Sequence, residues 1–227
     1  METLTELVRL SDQTVPYVFS TTVTPGKCFV GREQELQKIR EWAFQGKSRC
    51  MFLTGMGGIG KSSLARTFLS REEAKFDTVL YLYYHDSIQS LIADDEALQI
   101  NTIEKRIEES TEDYFKRKLR SLKKLFAGKQ AILVIDNFYG EITEDFLKVL
   151  DVGWKVLMLS RETPPSDYYE HLSLGAIPEI RDLYFLFGQY AGINIREDET
   201  VYLEHLIEAV RGNTLVLELI ARQIRTS

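Results

Sequence analysis

Cysteine is scarce in this chain: Cys28 and Cys50 are the only two in 227 residues, 22 positions apart, with no Cys-x-x-Cys spacing and no histidine beside them. That pattern excludes a disulfide framework and offers no zinc-ligand spacing, so both are read as free thiols. Long apolar runs are missing as well. No window approaches the ~18 residues a spanning helix needs, and the opening METLTELVRLSDQ is polar and acidic where a secretory leader is basic and then apolar. The expected place is the cytoplasm, with no membrane partner. Basic residues are not in excess: the formal net charge is −6. Binders of the phosphate backbone usually present a basic face, so nucleic acid is not an expected partner. The three histidines, His85, His171 and His205, stand apart from one another and read as structural or exposed.

What remains is an ordinary globular composition, 44% hydrophobic and 27% charged with both signs mixed. The length leaves room for one large α/β domain or for a core domain with a small helical one.

The chain is organised around residues 50–69, CMFLTGMGGIGKSSLARTFL. Met51, Phe52 and Leu53 form an apolar run that reads as a buried strand. Leu64, Ala65, Phe68 and Leu69 then recur at helical spacing. Between them the turn satisfies G-x-x-x-x-G-K-[ST] with Gly55, Gly60, Lys61 and Ser62. A triphosphate must be wrapped by backbone N–H groups, which calls for side-chain-free positions at Gly55, Gly57, Gly58 and Gly60 around Ile59. The helix that follows turns its positive end to the same phosphates. Lys61 supplies a mobile charge to the β- and γ-phosphates, the Ser62 hydroxyl suits Mg²⁺, and Ser63 is a second hydroxyl nearby.

Residues 1–27 read as a lead-in: Leu4, Leu7, Val8 and Leu10 suit a short amphipathic turn, and Ser11 to Lys27 is rich in Thr, Ser and Pro. A helix follows with Leu36, Ile39, Trp42 and Ala43 on one face, an acidic first turn and a stop at Gly46. Residues 78–84 (TVLYLYY) read as a second buried strand with no assigned chemistry. From 86 to 128 the steps of Ile88, Leu91, Ile92, Ile100, Ile103, Ile107, Tyr114, Leu119, Leu122 and Leu125 predict two helices joined near Ser110. Residues 130–138, QAILVIDNF, have the form of a strand buried on both faces, ending in Asp136, a carboxylate placed to hold Mg²⁺ opposite Ser62. Asn137 stands where many P-loop ATPases carry a second acid, and a neutral amide cannot serve as a general base. A short helix around Phe146, Leu147 and Leu150, a fourth strand at 154–159 and a fifth at Leu172 to Leu174 come next. Pro164 and Pro165 break the chain between the last two. Pro178 is expected to open a helix with Ile180, Leu183, Leu186, Phe187 and Tyr190 on one face, Glu199 to Val210 forms another, and Asn213 caps a last one.

Five ordered motifs across about residues 28–227 resemble the STAND class of P-loop nucleotide switches, notably the NB-ARC family. Phe29-Val30-Gly31-Arg32-Glu33 is similar to its hhGRxxE entry motif, which implies that backbone groups near Val30 read the adenine edge and that Arg32 lies close to the nucleotide. The glycine turn and Asp136 match its phosphate and magnesium motifs, and asparagine at position 137 also occurs among its members. Ser160-Arg161 resembles the pair whose arginine senses the γ-phosphate. RGNTLVLELIARQI resembles the GxP element of its helical ARC subdomain, which implies a nucleotide contact at Thr214 and Leu215, although Thr214 replaces the usual proline.

The resemblance implies a five-stranded parallel sheet flanked by helices over 28–177, followed by a small helical subdomain at 178–227. ATP or ADP with Mg²⁺ would bind there, with Lys61, Asp136 and Arg161 in the catalytic roles. It further implies slow hydrolysis, self-association in the ATP state, and winged-helix, sensor and effector parts beyond this stretch. The rival readings are an AAA+ motor or loader acting on DNA or protein, and a small-molecule kinase, which would need an acceptor site and lid arginines.

Overall fold

The computed structural model describes residues 23–24, 28–100, 103–163 and 169–226, with the side chains of 97 and 226 excepted. The expected amphipathic turn at Leu4 to Leu10, most of the lead-in and the Pro164-Pro165 break lie outside the described residues.

Elements alternate in the βα manner of a parallel sheet. Helix α1 (Glu33–Phe44) precedes strand β1 (Cys50–Thr54), then α2 (Lys61–Glu72) and β2 (Thr78–Tyr83). Helices α3 (Ile88–Asp94) and α4 (Thr111–Leu125) lead to β3 (Ala131–Phe138), and α5 (Glu144–Leu150) to β4 (Lys155–Ser160) and β5 (Glu170–Ser173). The chain ends in α6 (Ile180–Ala191), α7 (Thr200–Ala209) and α8 (Thr214–Thr226).

The strands lie in the order β2-β3-β4-β1-β5, every neighbouring pair parallel. Both faces are covered, so the central strands carry apolar residues without interruption. Phe52, Leu133, Ile135, Val156 and Met158 pack on one side against α3, α4 and α5. Met51, Leu53, Ile132, Val134, Leu157 and Leu159 pack on the other against α1 and α2. A third cluster joins the last three helices through Leu183, Phe187, Leu203, Ile207 and Leu217. Lys155 ties α1 to the sheet by donating to the carbonyls of Trp42, Gly46 and Ser48 at 2.9, 2.8 and 2.7 Å, which satisfies acceptors at the end of that helix.

Two expectations are corrected. Ile100 and residues 103–107 are not helical: a short 3₁₀ turn (Glu96–Leu98) is followed by an isolated bridge between Ile100 and Ile103, and Ile107 is fully exposed. Extended backbone at Asp95 stops α3, while the Ser110 hydroxyl accepts from Asp113 N at 3.1 Å and starts α4 afresh. Pro178 precedes α6 by two residues and is not its first residue, and Ile180 lies on the exposed side.

Candidate functional site

In an open parallel sheet, ligands meet the carboxyl ends of the strands. Here the ends of β1, β3, β4 and β5 bring together the glycine turn, Asp136, Arg161 and Leu174. The turn runs from Thr54, the last residue of β1, to α2, whose N-cap is Gly60. Lys61 reaches back over it, its ammonium donating to Gly55 O at 2.7 Å and Met56 O at 3.1 Å. Burial, then the neighbouring Arg161 charge, pull its pKa below the ordinary lysine value, while Asp136 works the other way. Arg161 itself lies against the turn: its guanidinium carbon stands 3.4 Å from where a Cβ on Gly57 would be. Two cations thus converge on one glycine turn at a helix N-terminus, the chemistry of an anion site.

Asp136 faces this turn from β3. Its Oδ1 accepts from the Ser62 hydroxyl at 3.2 Å and from Asn137 N at 2.8 Å, and its Oδ2 accepts from the Tyr81 hydroxyl at 2.6 Å. Asn137 follows at φ 59°, exposed, where the register of β3 against β4 shifts. A hydroxyl and one carboxylate are hard oxygen donors of the kind Mg²⁺ accepts when phosphates supply the rest, so the residues present fit that ion.

The last helices close on the turn from the other side. Asn213 Nδ2 donates to Gly57 O at 2.8 Å, Thr214 Oγ1 to Gly58 O at 2.8 Å and Leu215 N to Gly58 O at 3.0 Å. Gly58 is needed for this approach as much as for any phosphate. It sits at φ 79°, and a Cβ there would lie 2.6 Å from Asn213 Oδ1 and 2.9 Å from Leu215 Cβ. Gly31, at φ 67°, plays the same part where the entry segment meets α6, with Ile177 and Asp182 within 2.5 and 2.7 Å of the missing Cβ.

Between the turn and these helices lies a small cleft, partly open to solvent. Phe29, Val30, Ile59, Gly60, Ser63 and Thr214 line it, joined by Ile177, Leu186, Tyr190 and Glu218. Arg32 is buried at the cleft wall with its guanidinium committed to Gly175 O at 2.6 Å and Glu35 at 2.9 Å. Leu215 contributes only its backbone N–H, and its half-exposed side chain is not among the cleft residues.

Sequence reasoning missed Tyr81, which was given no chemistry. Its pairing with Asp136 follows from the β2–β3 register, and a sequence does not print register. Tyr190 was legible only as one more apolar-face residue of its helix.

Residues 29–151 match the family described as an ATPase domain predominantly from Archaea. Among curated proteins, the chain is 27% identical to the probable disease resistance proteins RF45 and RDL5 of Arabidopsis thaliana over 145 residues, 59% of this chain and 14% of the length of each. Among solved structures it is similar to a Walker-type ATPase of Pyrococcus abyssi, with a TM-score of 0.56 at 18% identity over 89% of this chain and 69% of that one. The ORC1 protein of Aeropyrum pernix, solved in complex with DNA, gives 0.58 at 18% identity over 86% of this chain and 60% of that one. Domain III of the replication initiation protein DnaA of Thermotoga maritima gives 0.52 at 16% identity, over 87% of each. At such identities these structures speak for the fold alone. More than half of the chain falls within the family match, and the chain accordingly belongs to this family of P-loop ATPase domains.

Proposed function

We propose that this chain is the nucleotide-holding part of a signalling switch of the STAND/NB-ARC kind, divided into a nucleotide-binding unit at 28–177 and a helical lid at 178–227. The observation that carries the reading is the set of three hydrogen bonds from Asn213, Thr214 and Leu215 to the carbonyls of Gly57 and Gly58. They make the shape of the phosphate turn and the seat of the lid one property, so a ligand that remodels the turn shifts the lid. A ligand moves such an equilibrium only by binding one state better. Arg161, set against Gly57, is the group whose contact would depend on the γ-phosphate, which gives ATP and ADP different affinities for the two seats.

In this reading Lys61 holds the β- and γ-phosphates, and Ser62 and Asp136 hold Mg²⁺, which when bound neutralises phosphate charge. Phe29, Val30, Tyr190 and Thr214 surround the base. Asn137 supplies no proton acceptor, so hydrolysis is slow and serves as a reset. ATP favours self-association of the whole protein, and the similarity to the Arabidopsis proteins supports placing it in a signalling pathway of the cytoplasm.

The likeness to ORC1 and DnaA favours a second reading, an AAA+ loader acting on DNA. Steady-state phosphate release with and without duplex DNA separates the two. A switch turns over well below roughly 1 s⁻¹ and is indifferent to DNA. Turnover above that, accelerated by DNA, would replace the switch with the loader.

A further inference from the structure

Asp136 is held on a side no nucleotide motif accounts for. The parallel register of β2 on β3 sets Tyr83 opposite Asp136 and Tyr81 opposite Val134, on the sheet face covered by α2. From there the Tyr81 hydroxyl takes Asp136 Oδ2 at 2.6 Å. The phenol is buried, and beside a carboxylate, which only accepts, its hydroxyl is the donor of the pair.

Helix α2 braces the arrangement. Ser62 and Arg66 are four residues apart and share a face. Ser62 donates to Asp136 Oδ1 at 3.2 Å. Arg66 lays its guanidinium 5.2 Å from the centroid of the Tyr81 ring and donates to the Tyr83 hydroxyl. The two tyrosine rings stand 5.5 Å apart.

We propose that Tyr81, steadied by Arg66, is a positioning residue for the magnesium carboxylate: it occupies Oδ2 and so fixes the carboxylate plane with Oδ1 toward Ser62. This rests on reading the site as one for Mg-nucleotide. A carboxylate loosened at Oδ2 can rotate, and outer partners of metal ligands are worth about 10- to 100-fold in metal affinity. The brace should therefore act on the metal-bound state of the ligand and leave the grip of Lys61 and the glycine turn on bare phosphates unchanged.

The test is calorimetric titration of ADP into the full chain, once with Mg²⁺ and once with EDTA, for wild type, Tyr81→Phe, Arg66→Ala, Asp136→Asn and the double variant Tyr81→Phe with Asp136→Asn. Tyr81→Phe is expected to weaken ADP about tenfold in Mg²⁺ and by less than about twofold in EDTA. Arg66→Ala, a partly exposed position that tolerates truncation, should act in the same direction but less strongly, and it carries the test if Tyr81→Phe does not fold. Added to Asp136→Asn, Tyr81→Phe should do nothing further to the Mg²⁺ dependence. Equal losses in Mg²⁺ and EDTA, or no loss in either, would overturn the proposal while leaving the nucleotide site standing. Wild-type protein that binds ADP under neither condition would overturn the reading of the site and this inference together.

Discussion

The side-chain amide of Asn213 donates to the carbonyl oxygen of Gly57 at 2.8 Å across 156 residues of sequence. Its Oδ1 also accepts from Val216 N at 3.3 Å, so one side chain both starts α8 and pins that helix to the phosphate turn. Asn213→Ala should lose a cap and a hydrogen bond, about 1 kcal/mol for each. The expected outcome is nucleotide release faster by about tenfold in stopped-flow fluorescence, with a thermal midpoint lowered by about 2–4 °C per kcal/mol lost. Unchanged release would mean that the lid does not bear on the turn.

Asn137 occupies left-handed backbone at φ 59°, a conformation that aspartate tolerates nearly as well. Asn137→Asp should leave the fold and nucleotide affinity alone while adding a proton acceptor beside Asp136. General-base assistance is worth about 10²-fold or more, so phosphate release should rise by about that factor. A flat rate would show that something other than the missing acid limits turnover.

Tyr190 reaches the cleft from α6, with the Arg222 guanidinium 5.3 Å from its ring centroid and Glu218 beside it in the cleft lining. An aromatic face against a base is worth about 1–3 kcal/mol, so Tyr190→Ala should weaken ATP about tenfold or more. Inorganic tripolyphosphate, which has no base, should bind the variant as it binds the wild type. Competition against a fluorescent nucleotide reads both.

The strands were legible because those that lead into the glycine turn and Asp136 are also the most deeply buried. Met51 to Leu53 and Ile132 to Ile135 read as apolar runs, and each run stops at its motif. The helical faces of α1 and α2 were equally plain, since Leu36, Ile39 and Trp42, and Leu64 and Phe68, recur at a turn's spacing. Periodicity misled at Ile100 and Ile103, whose three-residue step is met by a small bridge and not by a helix. The Tyr81–Asp136 pair and the Asn213–Gly57 bond were out of reach for a different reason: both depend on how distant elements are set against each other. Gly58 shows the same limit, its bare Cα being what lets Asn213 and Leu215 approach the turn.

Lys118 is wholly buried in α4, its ammonium donating to Ala93 O at 2.9 Å, and burial pulls its pKa down to about 8 against the weaker opposing charges of Asp94 and Asp95. The unfolded chain keeps that proton up to about pH 10.4. Between these values the unfolded state binds more protons, so stability should rise with pH across the window and level off at its lower value below about 8. Thermal melts from pH 7 to 10.5 should show that rise in the wild type and lose it in Lys118→Met, which should also melt higher at pH 7.

The most direct test of the phosphate cradle is calorimetry of ATP and ADP with Mg²⁺ against wild type and Lys61→Ala, with circular dichroism to show that both are folded. The expected result is saturable one-site binding in the wild type, weakened about 30- to 100-fold in the variant, as the loss of charge-assisted hydrogen bonds requires. Wild-type protein that binds neither nucleotide, or a Lys61→Ala variant that binds as tightly as the wild type, would contradict it.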